Sequence, residues 1–160
     1  MHKEKKKFFE TRIASFMNRL KEDVFEEEAE LRVEFCHSKE PVKFEDRLDG
    51  DYKKIKKGET WGEEWESAWF HIKGQVPKEW KGKKVTACLR FNGESMVFDD
   101  SGCPVYGLTH GSIFDSSYSK NVYPLFDECD GGENVDFWVE AAANMLFGIH
   151  RHGDPKPNDE

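Results

Sequence analysis

The sequence predicts a mainly β fold: an antiparallel β-sandwich of jelly-roll type behind an N-terminal amphipathic helix. Three observations carry this reading. Phe9, Ile13, Phe16, Met17, Leu20 and Val24 recur at three- and four-residue steps, the period of a helix with one apolar face. From Leu31 onward the apolar period falls to two, as in Leu31, Val33 and Phe35, which is the period of a half-buried strand. Clusters of Gly, Pro, Asn and Asp then interrupt the chain at short intervals, the punctuation of a sandwich or barrel. The chain has 160 residues, enough for one domain that buries roughly 70% of the surface its unfolded form exposes. Thirteen Phe, five Trp and four Tyr supply a core through large rings.

Taken in order, residues 1–26 read as a helical lead-in that packs its stripe on the sandwich, with the helix over residues 5–23. Its polar face mixes acids with bases, which argues against a helix lying on a membrane. The sandwich spans residues 27–148. Its first strand holds Leu31, Val33 and Phe35. The charged stretch that follows is broken by Pro41 and Gly50 and reads as loop, with short strand pieces at 42–44 and 52–55. From Ser67 a strand places Ala68, Phe70 and Ile72 on one face and Trp69, His71 and Lys73 on the other. Val85, Ala87, Leu89 and Phe91 alternate in the next. Asn92 and Gly93 then predict a hairpin, because both turn positions need φ > 0. The returning strand, "ESMVFDD", points Met96 and Phe98 inward, and "VYGLTH" completes a meander. A weaker strand covers 121–126. The last one points Val135, Phe137 and Val139 inward, sets Trp138 and Glu140 on its other face, and stops at Gly148. The tail, 149–160, carries prolines and charges and reads as flexible, or as the start of a linker to a catalytic domain.

Composition excludes several functions. The net charge is −8 and the pI about 5.3, against a nucleic-acid footprint, which needs a basic face, and against attraction to anionic lipid. No apolar run approaches the roughly 20 residues of a membrane span. The N-terminus "MHKEKKKFFETRIASF" has no apolar h-region, so a cytoplasmic location is expected. Cys36, Cys88, Cys103 and Cys129 are widely separated and read as reduced thiols.

The segments "GETWG", "WFHIKGQVPKEWKGKKVTACLRFNGESMVFDDSGCPVYGLTHG" and "YPLFDECDGGENVDFWVEAAANMLFG", in that order, resemble the N-terminal β-sandwich of glycoside hydrolase family 38 α-mannosidases. The likeness covers residues 57–148. It implies a galactose-binding-domain-like sandwich that precedes a separate catalytic domain. In that family the catalytic domain holds zinc through His and Asp residues, and an Asp nucleophile forms a glycosyl-enzyme. The resemblance therefore implies a noncatalytic accessory domain, with zinc a cofactor of the parent enzyme and none bound by this chain. The implied partners are the catalytic domain of the same polypeptide, a mannose-containing oligosaccharide and a second copy in a homo-oligomer. Two alternatives stay open: a stand-alone carbohydrate-binding module and a protein-interaction sandwich. Fold alone does not choose among them.

Candidate ligand-binding residues are Trp61, Trp65 and Glu94. Trp61 and Trp65 lie among glycines and acids. They read either as a sugar platform or as rings tucked over the open end of the sandwich. The buried reading suits Trp61 and Trp69, while Trp65 is the better candidate for exposure. Glu94 would bind ligand, shape a site across a domain boundary, or pair across strands with a base such as Arg90. Asp99 and Asp100 read first as turn formers, with a calcium site that adds Asp115 as the alternative. Glu140, a charge in an apolar strand, needs a partner and would face a sheet edge or a neighbouring domain. In the tail, His150, His152 and Asp154 are spaced His-x-His-x-Asp, similar to the family's zinc-holding segment. Imidazole and carboxylate are good zinc ligands. Here the segment follows the last strand directly and runs into "PKPNDE", so a surface tail is the preferred reading.

Overall fold

The structure, a computed structural model, describes residues 3–22, 24–111 and 118–144. The chain divides into two compact units, Met1–Glu30 and Leu31–Glu160. The first contains, among the described residues, the helix α1 (Lys3–Glu22). A backbone-directed hydroxyl bond from Thr11 to the Lys7 carbonyl at 2.9 Å and the Lys6–Glu10 pair at 3.7 Å decorate it at the i,i+4 spacing of neighbours on one helix face. Phe9, Ile13, Phe16, Met17 and Leu20 form its apolar stripe and are exposed.

Among the described residues the second unit holds eight strands: β1 (Arg32–Ser38), β2 (Lys53–Ile55), β3 (Ser67–Gln75), β4 (Val85–Cys88), β5 (Glu94–Phe98), β6 (Pro104–Leu108), β7 (Val122–Phe126) and β8 (Asn134–Ala142). Six of them make one antiparallel sheet in the order β2-β1-β3-β8-β5-β6, and β4 pairs with β7 in a second. The long central strands β3 and β8 run side by side from Ser67↔Ala142 to Gln75↔Asn134. Their inward residues Phe70, Ile72, Phe137 and Val139 join Val97 and Leu108 from the sheet's far side, Val85 and Ala87 from the small sheet, and Leu89 just past β4, in one core. Tyr123 of β7 closes on Phe137 of β8, ring to ring at 5.2 Å. This is the two-sheet sandwich with a jelly-roll domain's strand composition.

Three local expectations are corrected. Residues 42–44 form no strand. A short 3-10 helix runs over Phe44–Asp49 instead. Pro41 removes a ladder donor just before it. Val42 turns its carbonyl to accept a bond from Trp69 Nε1 at 2.8 Å. The second correction concerns Asn92 and Gly93, which do not close a hairpin, because β4 pairs with β7 while β5 pairs with β6 and β8. Asn92 has a φ of 59°, but Gly93 is needed for a different reason: a Cβ there would overlap the Ala142 carbonyl oxygen. The chain crosses between sheets at this point, so the meander holds only for β5 and β6. The third correction is to the parity of β5. Ser95 and Val97 face inward; Met96 is 37% exposed and Phe98 sits on the outer face with it.

The outer face of the large sheet carries a second, smaller cluster. Phe44 packs on Trp69 and Phe98, each at 5.7 Å, and the Arg47 guanidinium lies 3.6 Å over the Phe44 ring. Tyr52 meets Trp138 edge-on at 5.6 Å and donates its hydroxyl to the Arg47 carbonyl at 2.6 Å. Burial pushes the Tyr52 phenol up to about 12. The inward and outward faces of β8 match the sequence reading. Gly148 and the tail 149–160 lie outside the described residues.

Candidate functional site at the end of the large sheet

The end of β8 gathers two of the three candidate residues. Ala142 pairs with Ser67 on one side and with Glu94 on the other. One step further, the Trp65 N–H donates to the Ala143 carbonyl at 2.8 Å, and the Ala143 N–H donates to the Glu66 carbonyl at 2.9 Å. These bonds hold Trp65 at a φ of 73°, in the left-handed region that bulky residues rarely adopt. Its side chain is left 60% exposed. Glu66 braces the same turn. Its Oε2 accepts the Glu63 N–H at 3.0 Å and lies 3.1 Å from His37 Nδ1. The Glu63 amide, with His37 beside it, holds the Glu66 carboxyl below its ordinary range.

Glu94 opens β5 on the other side of Ala142. Its N–H donates to Asn144 Oδ1 at 3.1 Å, and its Oε1 accepts the Thr109 hydroxyl at 2.6 Å. Trp61 does not join them at the surface. It is 7% exposed, meets Phe70 edge-on at 5.4 Å and donates Nε1–H to the Phe91 carbonyl at 3.0 Å. Trp69 is likewise buried, at 4%.

Glu140 lies on the outer face between Trp69 and Met96, its cross-strand partners. It is half-buried, and burial raises its pKa. His71, one pairing step away on β3, stacks on Trp138 at 3.8 Å and places Nε2 2.6 Å from Asp136. Asp99 Oδ1 accepts from the Ser101 N–H and hydroxyl and from the Cys103 N–H. This is the bonding of a turn former, and the Ser101 hydroxyl in particular lowers its pKa. Asp115, His150, His152 and Asp154 lie outside the described residues. Among the described residues no group of three or more His, Cys, Asp or Glu could hold a metal ion.

The His37–Glu66 pair is a feature that sequence reasoning missed. The two residues are 29 positions apart, on a strand and on the turn before another, and no spacing rule links them. A hollow of about 180 Å³ beside His37 is lined by Phe35, Cys36, Asp51 and Lys53.

The fold and its apolar sandwich define an all-β jelly-roll domain. Comparison with known families makes that specific: the chain belongs to the family described as the alpha-mannosidase jelly roll domain, which matches residues 28–160. It is 28% identical over 129 residues to Alpha-mannosidase G of Dictyostelium discoideum, a match covering 81% of this chain and 12% of that protein. It is 29% identical over 111 residues to Alpha-mannosidase 2C1 of Homo sapiens and also to that of Mus musculus, covering 68% of this chain and 10% of each. The chain thus spans about a tenth of the length of these curated relatives.

Proposed function

We propose that this chain is a noncatalytic accessory domain of a zinc-dependent, retaining α-mannosidase of glycoside hydrolase family 38. Its work is structural, packing on the catalytic domain of the same polypeptide, and the parent enzyme removes terminal α-mannosyl residues from oligosaccharides. The observation that carries this reading is the match of a jelly-roll family to residues 28–160, at about a tenth of the length of the α-mannosidases it resembles. The bonding at the sheet end supports it. Retaining hydrolysis uses two carboxylates about 5 Å apart across the scissile bond. Here Glu66 is engaged by the Glu63 amide and His37, and Glu94 by the Thr109 hydroxyl. Both serve as braces for turns. Zinc belongs, in this reading, to the parent's catalytic domain, and no step is assigned to it here. A cytoplasmic location fits the exposed thiol of Cys103, which suits a reducing compartment. No described helix is long and apolar enough to cross a membrane.

One observation favours a second reading, a carbohydrate-binding module. Trp65 is exposed and its backbone is fixed, beside the exposed carboxylates Glu63 and Glu64; a fixed aromatic face costs little entropy when a sugar stacks on it. A two-dimensional NMR titration of the purified chain with mannose, α-mannobiose and galactose separates the two. The accessory reading expects no saturable shift into the high millimolar range. Saturable shifts centred on Trp65 and Glu94 would replace it with the binding module.

A further inference from the structure

The outer face of the six-stranded sheet is covered on one side by Phe44, Arg47 and Tyr52, which close over Trp69, Phe98 and Trp138. Toward the end of the sheet at Ala142, Glu140 of β8 and Met96 of β5 stand opposite each other. Met96 is 37% exposed. Glu140 is half-buried and has the 4% exposed Trp69 as its other cross-strand partner. Flanked by an indole and a thioether, this half-buried carboxylate is partly desolvated and has gained no donor. Among the described residues it makes no hydrogen bond or ion pair, and burial alone accounts for its raised pKa. A carboxylate in that state is costly until a cation meets it. The titratable neighbours on the adjoining strands do not supply one. His71 is held by Asp136 at 2.6 Å, and Glu94, two residues from Met96 on the same face, carries the same sign.

We infer that the patch formed by Glu140, Met96 and Glu94 is the face on which the rest of an α-mannosidase polypeptide docks, and that the docked surface presents a lysine or arginine to Glu140 among apolar side chains. The inference rests on the accessory-domain reading and adds to it the face and the chemistry of the contact. Two facts point to this occupant. The patch is acidic and apolar on a chain of net charge −8, so its complement is basic. The curated relatives carry about seven to nine times as much further chain, since the match covers 12% and 10% of them. A lone carboxylate in an apolar contact also fixes register and rejects wrong partners, beyond any gain in affinity.

The test is hydroxyl-radical footprinting of the isolated chain and of the full-length α-mannosidase polypeptide that carries it. Met96 oxidises about fivefold or more slowly in the full-length protein, as expected for a side chain in an interface packed like a protein interior. Glu140→Lys returns it toward the rate of the isolated chain. If Met96 oxidises equally in both while Trp65 or Tyr118 becomes protected, the domain packs by another face; the inference fails and the accessory reading stands. If no residue of the chain is protected, both fail. A second arm uses the isolated chain alone. Glu140→Gln and Glu140→Leu each raise its melting temperature, because each removes a charge that has no partner there. A lower melting temperature in both variants would show that Glu140 serves the isolated fold, and would overturn the inference.

Discussion

Glu140 and Trp65 are two residues whose local state is unfavourable in the isolated chain, and each makes a prediction. Burial raises the Glu140 pKa above its ordinary value of 4.5, so the folded protein holds that proton more tightly than the unfolded chain does. The stability tied to that proton is present below pH 4.5 and is lost as pH rises through the higher folded value. Glu140→Gln should therefore stabilise the isolated chain at pH 7, with the advantage vanishing in melts below pH 4.5. The other ionisable groups of this face are Glu94, the Asp136-bound His71 and Arg47, which lies over Trp138. Trp65 sits at a φ of 73° with its side chain 60% exposed. A left-handed backbone costs a non-glycine residue about 1–2 kcal/mol, and the exposed ring returns little of it. Trp65→Gly is thus expected to leave stability unchanged or raise it by about 1 kcal/mol in urea unfolding. A clear loss would mean that the ring packs more tightly than its exposure indicates.

Among the elements, the crossing at Asn92 and Gly93 shows where sequence patterns stop. The helix, the long strands β3 and β8, and the inward residues of β8 follow from period alone. Asn-Gly predicts a hairpin because both residues suit φ > 0, yet only Asn92 uses that conformation. Gly93 is there because the Ala142 backbone passes against it, a long-range approach that no local rule contains. Gly93→Ala should cost about 1–3 kcal/mol, and chemical denaturation reads that loss directly. An unchanged midpoint would mean the crossing relaxes. The parity of β5 failed for a related reason. Phe98 packs outward under Phe44 and Trp69, so both faces of the strand are apolar and alternation carries no sign. The 3-10 helix at Phe44–Asp49 exists to cover that face, and a charged stretch around a proline gives no hint of it. The sheet-end candidates were legible one by one as Trp65 and Glu94. Their common attachment to the last residues of β8 became visible only with the strand order.

For the molecule as a whole, a jelly roll is combined with an outer sheet face covered on one side, and the sequence belongs to a domain family found in α-mannosidases. The sandwich supplies its own core, with Ile72, Val97 and Val139 at 0% exposure, and Ile72→Ala should cost about 2–5 kcal/mol in the isolated chain. What it leaves incomplete is the surface around Glu140. The role proposed for this domain is to support the catalytic part of a larger enzyme. Calorimetry of the full-length polypeptide, intact and with the jelly-roll domain excised, tests it most directly. With that role, excision lowers the melting temperature of the remaining catalytic portion or prevents it from folding. A catalytic portion that melts at the same temperature with and without the domain would contradict it.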